Sequence, residues 1–100
     1  MIGVFVTFKY DSGFDAAAVR KIADGARGRF EGMPGLRSKI FAVDAERREA
    51  RNVYVWDSEG AARSFFTEEL TQRVTALYGV RPSVEFVEIA ALVENATTKT

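Results

Sequence analysis

One hundred residues suit one domain; 14 Lys and Arg balance 14 Asp and Glu, and 47% of the chain is hydrophobic. That composition describes a folded chain with no electrostatic footprint for nucleic acid or an anionic membrane. Cysteine and histidine are both absent, which excludes disulfides, thiolate catalysis, Cys or His metal sites, a His-ligated haem and a Ser-His-Asp hydrolase.

The opening MIGVFVTFKY has no basic leader or small-residue cleavage site, and no apolar run approaches the ~20 residues that span a bilayer. The expectation is a soluble cytoplasmic protein. Residues 2–10 alternate as a strand, with Ile2, Val4, Val6, Phe8 and Tyr10 on one face and Gly3, Phe5, Thr7 and Lys9 on the other. DSGFD is a turn, with Asp15 or Ser12 as the N-cap of a helix. From Asp15 to Phe30 the period changes: Val19, Ile22, Ala26 and Phe30 fall on one helical face. Gly25 and Gly28 each weaken that helix by about 1 kcal/mol relative to Ala. Gly32 is placed to end it, with Pro34 just beyond.

LRSKIFAVD is the second strand and ARNVYVW the third, joined as a hairpin through a polar connection. Asp57 or Ser58 caps a second helix, whose stripe is Ala62, Phe66, Leu70, Val74 and Leu77, with Phe65 and Tyr78 beside it. Thr67-Glu68-Glu69 can divide it in two, and Gly79 and Pro82 stop it. SVEFVEIAALV reads as the fourth strand, and residues 95–100 as a polar tail after a single domain over 1–94.

The order β-α-β-β-α-β, without repeats, predicts an α+β ferredoxin-like subunit with both helices on one face of a four-stranded antiparallel sheet. The opposite face should then be polar. Instead Phe5, Val53, Val55, Val87 and Ile89 make both sides apolar. The chain has no spare element to cover them, so a homodimer through the sheet faces is expected.

Asn52, Tyr54 and Trp56 share one face of the third strand. A buried amide must be satisfied or costs roughly 1–3 kcal/mol, and Tyr and Trp each offer flat apolar area with one polar atom. The trio suits a planar, oxygenated aromatic ligand held between sheet and helices. The alternative is plain packing, with Asn52 serving a turn or facing water. Phe8 and Phe66 either line such a pocket or fill it. Glu85, Glu88, Glu68 and Glu69 read as solvated. Arg37 and Lys39, two apart on one strand, are assigned to a common face, where they either meet an anionic ligand or sit at a rim. GARGRFEG lacks the spacing of a phosphate loop.

With NVYVW running into DSEGAARSFF, and with MPGLRSKIFAVD and YGVRPSVEFVEIAALVE, nearly the whole chain resembles the dimeric α+β barrel proteins, and more narrowly the antibiotic-biosynthesis and YdhR-like monooxygenases. The resemblance implies a homodimer and a pocket between sheet and helices. It also implies oxidation of a polyketide- or quinol-type aromatic by O₂ with no cofactor, metal, flavin or haem. An Asn and a Trp four apart on this strand line the pocket in such members, and Asn52 and Trp56 match that spacing. They are the implied catalytic pair, with Tyr54, Phe8 and Phe66 binding substrate. Some members carry a tyrosine early in the second helix, where this chain has Ala62, Phe65 and Phe66. Other readings on the same fold are a cyclase or isomerase and a non-catalytic small-ligand-binding dimer.

Overall fold

Asp15 decides where the first helix begins. Its carboxylate accepts hydrogen bonds from the amides of Ala17 and Ala18 at 3.0 and 3.2 Å, satisfying donors that the first turn leaves free. The computed structural model describes residues 1–95. Its order is β1 (Ile2–Lys9), α1 (Ala16–Phe30), β2 (Leu36–Asp44), β3 (Glu49–Trp56), α2 (Glu59–Phe65), α3 (Glu68–Tyr78) and β4 (Ser83–Glu88). Residues 96–100, most of the expected tail, lie outside the described residues.

The four strands form one antiparallel sheet in the order β2-β3-β1-β4. This is the ferredoxin-like arrangement expected from the element order. The two central strands, β1 and β3, carry most of the buried side chains because each has a strand on both sides and helices cover one face; Val4 and Phe8 are fully buried. Gly32, at φ +72°, ends α1, and Gly79, at φ +87°, ends α3.

Three features refine or correct the sequence reading. The second helix is divided in two, as Thr67-Glu68-Glu69 allowed, with the break at residues 66–67. Ser58 caps α2, and the Thr67 hydroxyl caps α3 by accepting from the Leu70 amide at 3.2 Å. The division lets both Phe65 and Phe66 pack against the core, which one continuous helix would not place side by side. The fourth strand stops at Glu88 rather than continuing to Val93. Its partner is β1, and the ladder ends where Ile2 opposes Glu88; beyond that point only the Ile89 amide finds a strand-side acceptor, Met1 O at 3.2 Å.

The third difference is a β-bulge. Leu36 opposes Trp56 but Ser38 opposes Val55, leaving Arg37 as an extra residue in β2. Strict alternation would keep Arg37 and Lys39 together. The bulge separates them: Arg37 turns to solvent beside Asp57 at 3.6 Å, while Lys39 sits opposite Tyr54 on the helix-facing side.

The opposite side of the sheet is apolar in one cross-strand row, Ile40 against Val53 and Val53 against Phe5. Ile40 is 58% exposed. No element among the described residues covers this row.

Candidate functional site

β3 delivers three side chains to the helix-facing layer, as period-2 alternation requires. Asn52, Tyr54 and Trp56 are all buried, at 4, 4 and 2% exposure. A cavity of about 300 Å³ lies between this sheet face and the helices α1 and α3, with the α2–α3 junction over it. That is the lower end of the size range of small-molecule sites.

Asn52 is neither in a turn nor facing water. Its Nδ2 donates to the Tyr78 hydroxyl at 3.3 Å. Tyr78 occupies the last turn of α3 and is held from two strands. Its ring stacks on Phe8 at 3.7 Å with 9° between planes, and the Tyr10 hydroxyl donates to its carbonyl at 2.6 Å. The result is a polar pair at the cavity wall, a carboxamide and a phenol, on a rigid aromatic base.

Tyr54 sits beside them. Phe66 meets its ring edge-on at 4.9 Å, and Trp56 stacks behind it at 6.1 Å with 10° between planes. Burial pushes the Tyr54 hydroxyl far above its ordinary value, and the neighbouring Tyr78 adds to this. Burial also raises Tyr78, against the opposing effect of the Asn52 hydrogen bond. Both phenols therefore stay protonated at neutral pH and act as hydrogen-bonding groups rather than bases.

Of the residues singled out in the sequence, Asn52, Tyr54, Phe8 and Phe66 meet at the cavity. Trp56 lies one pleat further along, off the cavity wall, packed against Tyr54, Phe65 and Phe66. Its indole Nε1 is buried without a hydrogen-bond partner among the described residues. Phe8 and Phe66 line the space without filling it.

Tyr78 was legible only as a neighbour of the helical stripe, although it continues the Leu70, Val74 spacing by four. Lys39 reaches the cavity only because of the bulge. Its Nζ lies 3.5 Å from the Phe30 ring centroid, 4.0 Å from Phe41 and 4.4 Å from Tyr54. Burial, and then the Arg29 charge, lower its pKa to about 7. Arg29 and Arg73 complete a cationic lining that contains no carboxylate. No group of three His, Cys, Asp or Glu side chains able to hold a metal occurs among the described residues, and no helix there is long and apolar enough to cross a membrane.

The fold is a four-stranded antiparallel sheet covered on one face by helices, with a cavity between the layers. Solved structures share it. A monooxygenase from the ActVA-Orf6 gene of Streptomyces coelicolor, in complex with nanaomycin D, matches with a TM-score of 0.68 and 21% identity over 95% of this chain and 92% of that one. NE2512, a protein of unknown function from Nitrosomonas europaea, matches at 0.72 and 15% identity, over 96% and 95%. SnoaB, a cofactor-independent oxygenase from Streptomyces nogalater solved as an Asn-to-Ala mutant, matches at 0.65 and 12% identity, over 94% and 97%. No curated protein matches the chain. The chain belongs to the family described as "Putative mono-oxygenase ydhR", whose model matches residues 4–94.

Proposed function

We propose that this protein is a cofactor-independent monooxygenase of the antibiotic-biosynthesis type, acting on a polyketide- or quinol-type aromatic. The observation that carries the reading is the buried Asn52–Tyr78 pair at the wall of an aromatic cavity. An electron-rich aromatic that loses a proton can reduce O₂ itself. The protein then needs to orient it and to offer hydrogen bonds where negative charge develops. Asn52 and Tyr78 offer such bonds without titrating. Phe8, Tyr54 and Phe66 supply flat walls for the rings. Trp56 acts by holding Tyr54 and Phe65 in place. The nanaomycin D complex of the Streptomyces coelicolor enzyme and the cofactor independence of SnoaB support the substrate class and the chemistry.

The working form in this reading is a homodimer joined through the row of Ile40, Val53 and Phe5, which gives that apolar surface its missing layer.

The test is O₂ consumption by metal-stripped protein with a panel of anthrones and hydroquinones, with Asn52→Ala alongside. Uptake above the spontaneous rate that falls in the folded variant supports the reading. No uptake across the panel sinks it in favour of a cyclase, an isomerase or a binding protein on the same fold.

A further inference from the structure

An aromatic cannot reduce O₂ directly until it has lost a proton, and the cavity must say where that proton goes. Histidine and cysteine are absent from the chain, and no Asp or Glu lines the cavity. A guanidinium has no lone pair to offer as a base, which sets aside Arg29 and Arg73 on the wall, and Tyr54 and Tyr78 are held in their phenol forms. One titratable side chain on the wall remains, Lys39.

We infer that Lys39 is the base and the counter-ion of this cavity, taking a proton from an acidic O–H or C–H of a polycyclic aromatic and then pairing with the anion it has made. The inference rests on the reading of the cavity as a site for such aromatics. In the step, the amine lone pair takes the proton and the electron pair of the broken bond stays on the ligand. The product is an ammonium beside an enolate or phenolate, with no change in oxidation state.

The geometry supports this in three ways. The bulge at Arg37 turns Lys39 inward, at the cost of one ladder position in β2. The rings of Phe30, Phe41 and Tyr54 surround the Nζ, so their faces stabilise the ammonium that the step creates beside the new anion. No carboxylate lies within ion-pair distance of it among the described residues, so its charge is available to a ligand.

The charged or titratable neighbours on the cavity side are two cations, Arg29 on α1 and Arg73 on α3, and two neutral phenols, Tyr78 on α3 and Tyr54 on β3. On its outer side Lys39 borders a shallow groove carrying Asp24, Arg27 and Glu31 from α1 and Arg37 from its own strand. Burial and the Arg29 charge bring the amine to about 7, so a substantial neutral fraction exists at neutral pH. A lysine tuned in this way by burial and a neighbouring cation is a competent base.

The experiment uses the full chain and two readouts. The first is the visible absorbance of 1,2-dihydroxyanthraquinone, whose phenolate absorbs to the red of the phenol. Wild-type protein is expected to bind the dye as its anion at a pH where the free dye is neutral. Lys39→Met should lose that ionisation while its far-UV circular dichroism is unchanged. Lys39→Arg should keep it, since a permanent cation still pairs with the anion.

The second readout is O₂ uptake with 1,8-dihydroxyanthrone. Wild-type turnover should rise with pH through about 7, and both variants should lose that limb and about 100-fold in rate at neutral pH. The dye binding un-ionised, not binding at all, or ionising equally in Lys39→Met would overturn the inference. An unchanged pH profile in Lys39→Arg would overturn the base role. Dye ionisation that depends on Lys39, with no O₂ uptake on any substrate, would defeat the oxygenase reading and leave Lys39 in place as the ligand-ionising group.

Discussion

Asn52 on β3 and Tyr78 at the end of α3 are 26 residues apart, and the carboxamide of the first donates to the hydroxyl of the second at 3.3 Å. The bond ties a sheet strand to the far end of the helix layer and satisfies the amide that burial would otherwise leave unpaired. It also leaves the Tyr78 O–H proton free to point at a ligand.

Removing either partner strands the other. Asn52→Ala and Tyr78→Phe should each cost about 1–3 kcal/mol of stability. A double-mutant cycle should return a coupling of about 0.5–1.5 kcal/mol, readable by urea denaturation. In turnover, Asn52→Ala should lose about 10²–10³-fold. Additive stabilities in the cycle would mean that the bond contributes nothing.

Trp56 separates packing from chemistry. Its ring backs Tyr54 and does not reach the cavity. Trp56→Phe removes apolar area but also removes an indole N–H buried without a partner. These effects oppose, so the net destabilisation should stay within about 1–2 kcal/mol. Turnover should remain within a few-fold of wild type. A loss as large as that of Asn52→Ala would show that the indole takes part directly.

Lys39 makes stability depend on pH. Its folded pKa of about 7 lies below the ordinary 10.5. Between those values the unfolded chain binds a proton that the folded chain does not, so stability rises with pH across that window. Below it the full cost of burying an ammonium is present. Lys39→Met is therefore expected to raise Tm near pH 6, by roughly 4–10 °C for about 1–2 kcal/mol, after allowing for partial solvent screening and lost ring contacts. The gain should shrink as pH approaches about 10. Melting curves of both proteins across that range check the sign, and a gain that grows with pH would contradict it.

Gly35 holds the start of α2 against the sheet. It lies at φ +82°, and a Cβ there would sit 3.0 Å from the Ala61 Cβ. Its carbonyl also accepts from the Asp57 amide at 2.9 Å. Gly35→Ala should cost about 1–3 kcal/mol from backbone strain alone, measurable as a lower urea midpoint. Gly25→Ala meets nothing within 4 Å in the middle of α1 and should stabilise by up to about 1 kcal/mol.

Ile40 tests the dimer. Being 58% exposed in the subunit, it can become Asp without disturbing the core. Ile40→Asp should shift the protein toward monomer in sedimentation equilibrium while its circular dichroism is retained. A monomeric wild-type protein would remove the basis for a sheet-to-sheet dimer.

Much of the fold was readable because it rests on local rules. Alternation in residues 2–10 placed Val4, Val6 and Phe8 together, and a 3.6-residue period placed Val19 and Ile22 on the buried side of α1. Caps at Asp15 and Ser58 and the stop at Gly79 follow from backbone groups that need partners whatever surrounds them. The parity of Asn52, Tyr54 and Trp56 put three side chains on one face of β3. Tertiary structure decided what local rules cannot. The length of β4 depends on how far β1 extends beside it. Whether Trp56 meets the cavity or backs it depends on where Phe65 and Phe66 settle after the helix breaks. Tyr78 becomes the partner of Asn52 only when α3 folds across the sheet. Above all, the facing of Lys39 turns on one unpaired residue, Arg37. Alternation is blind to a bulge, because the extra residue is set by pairing with a neighbouring strand and not by the strand's own sequence.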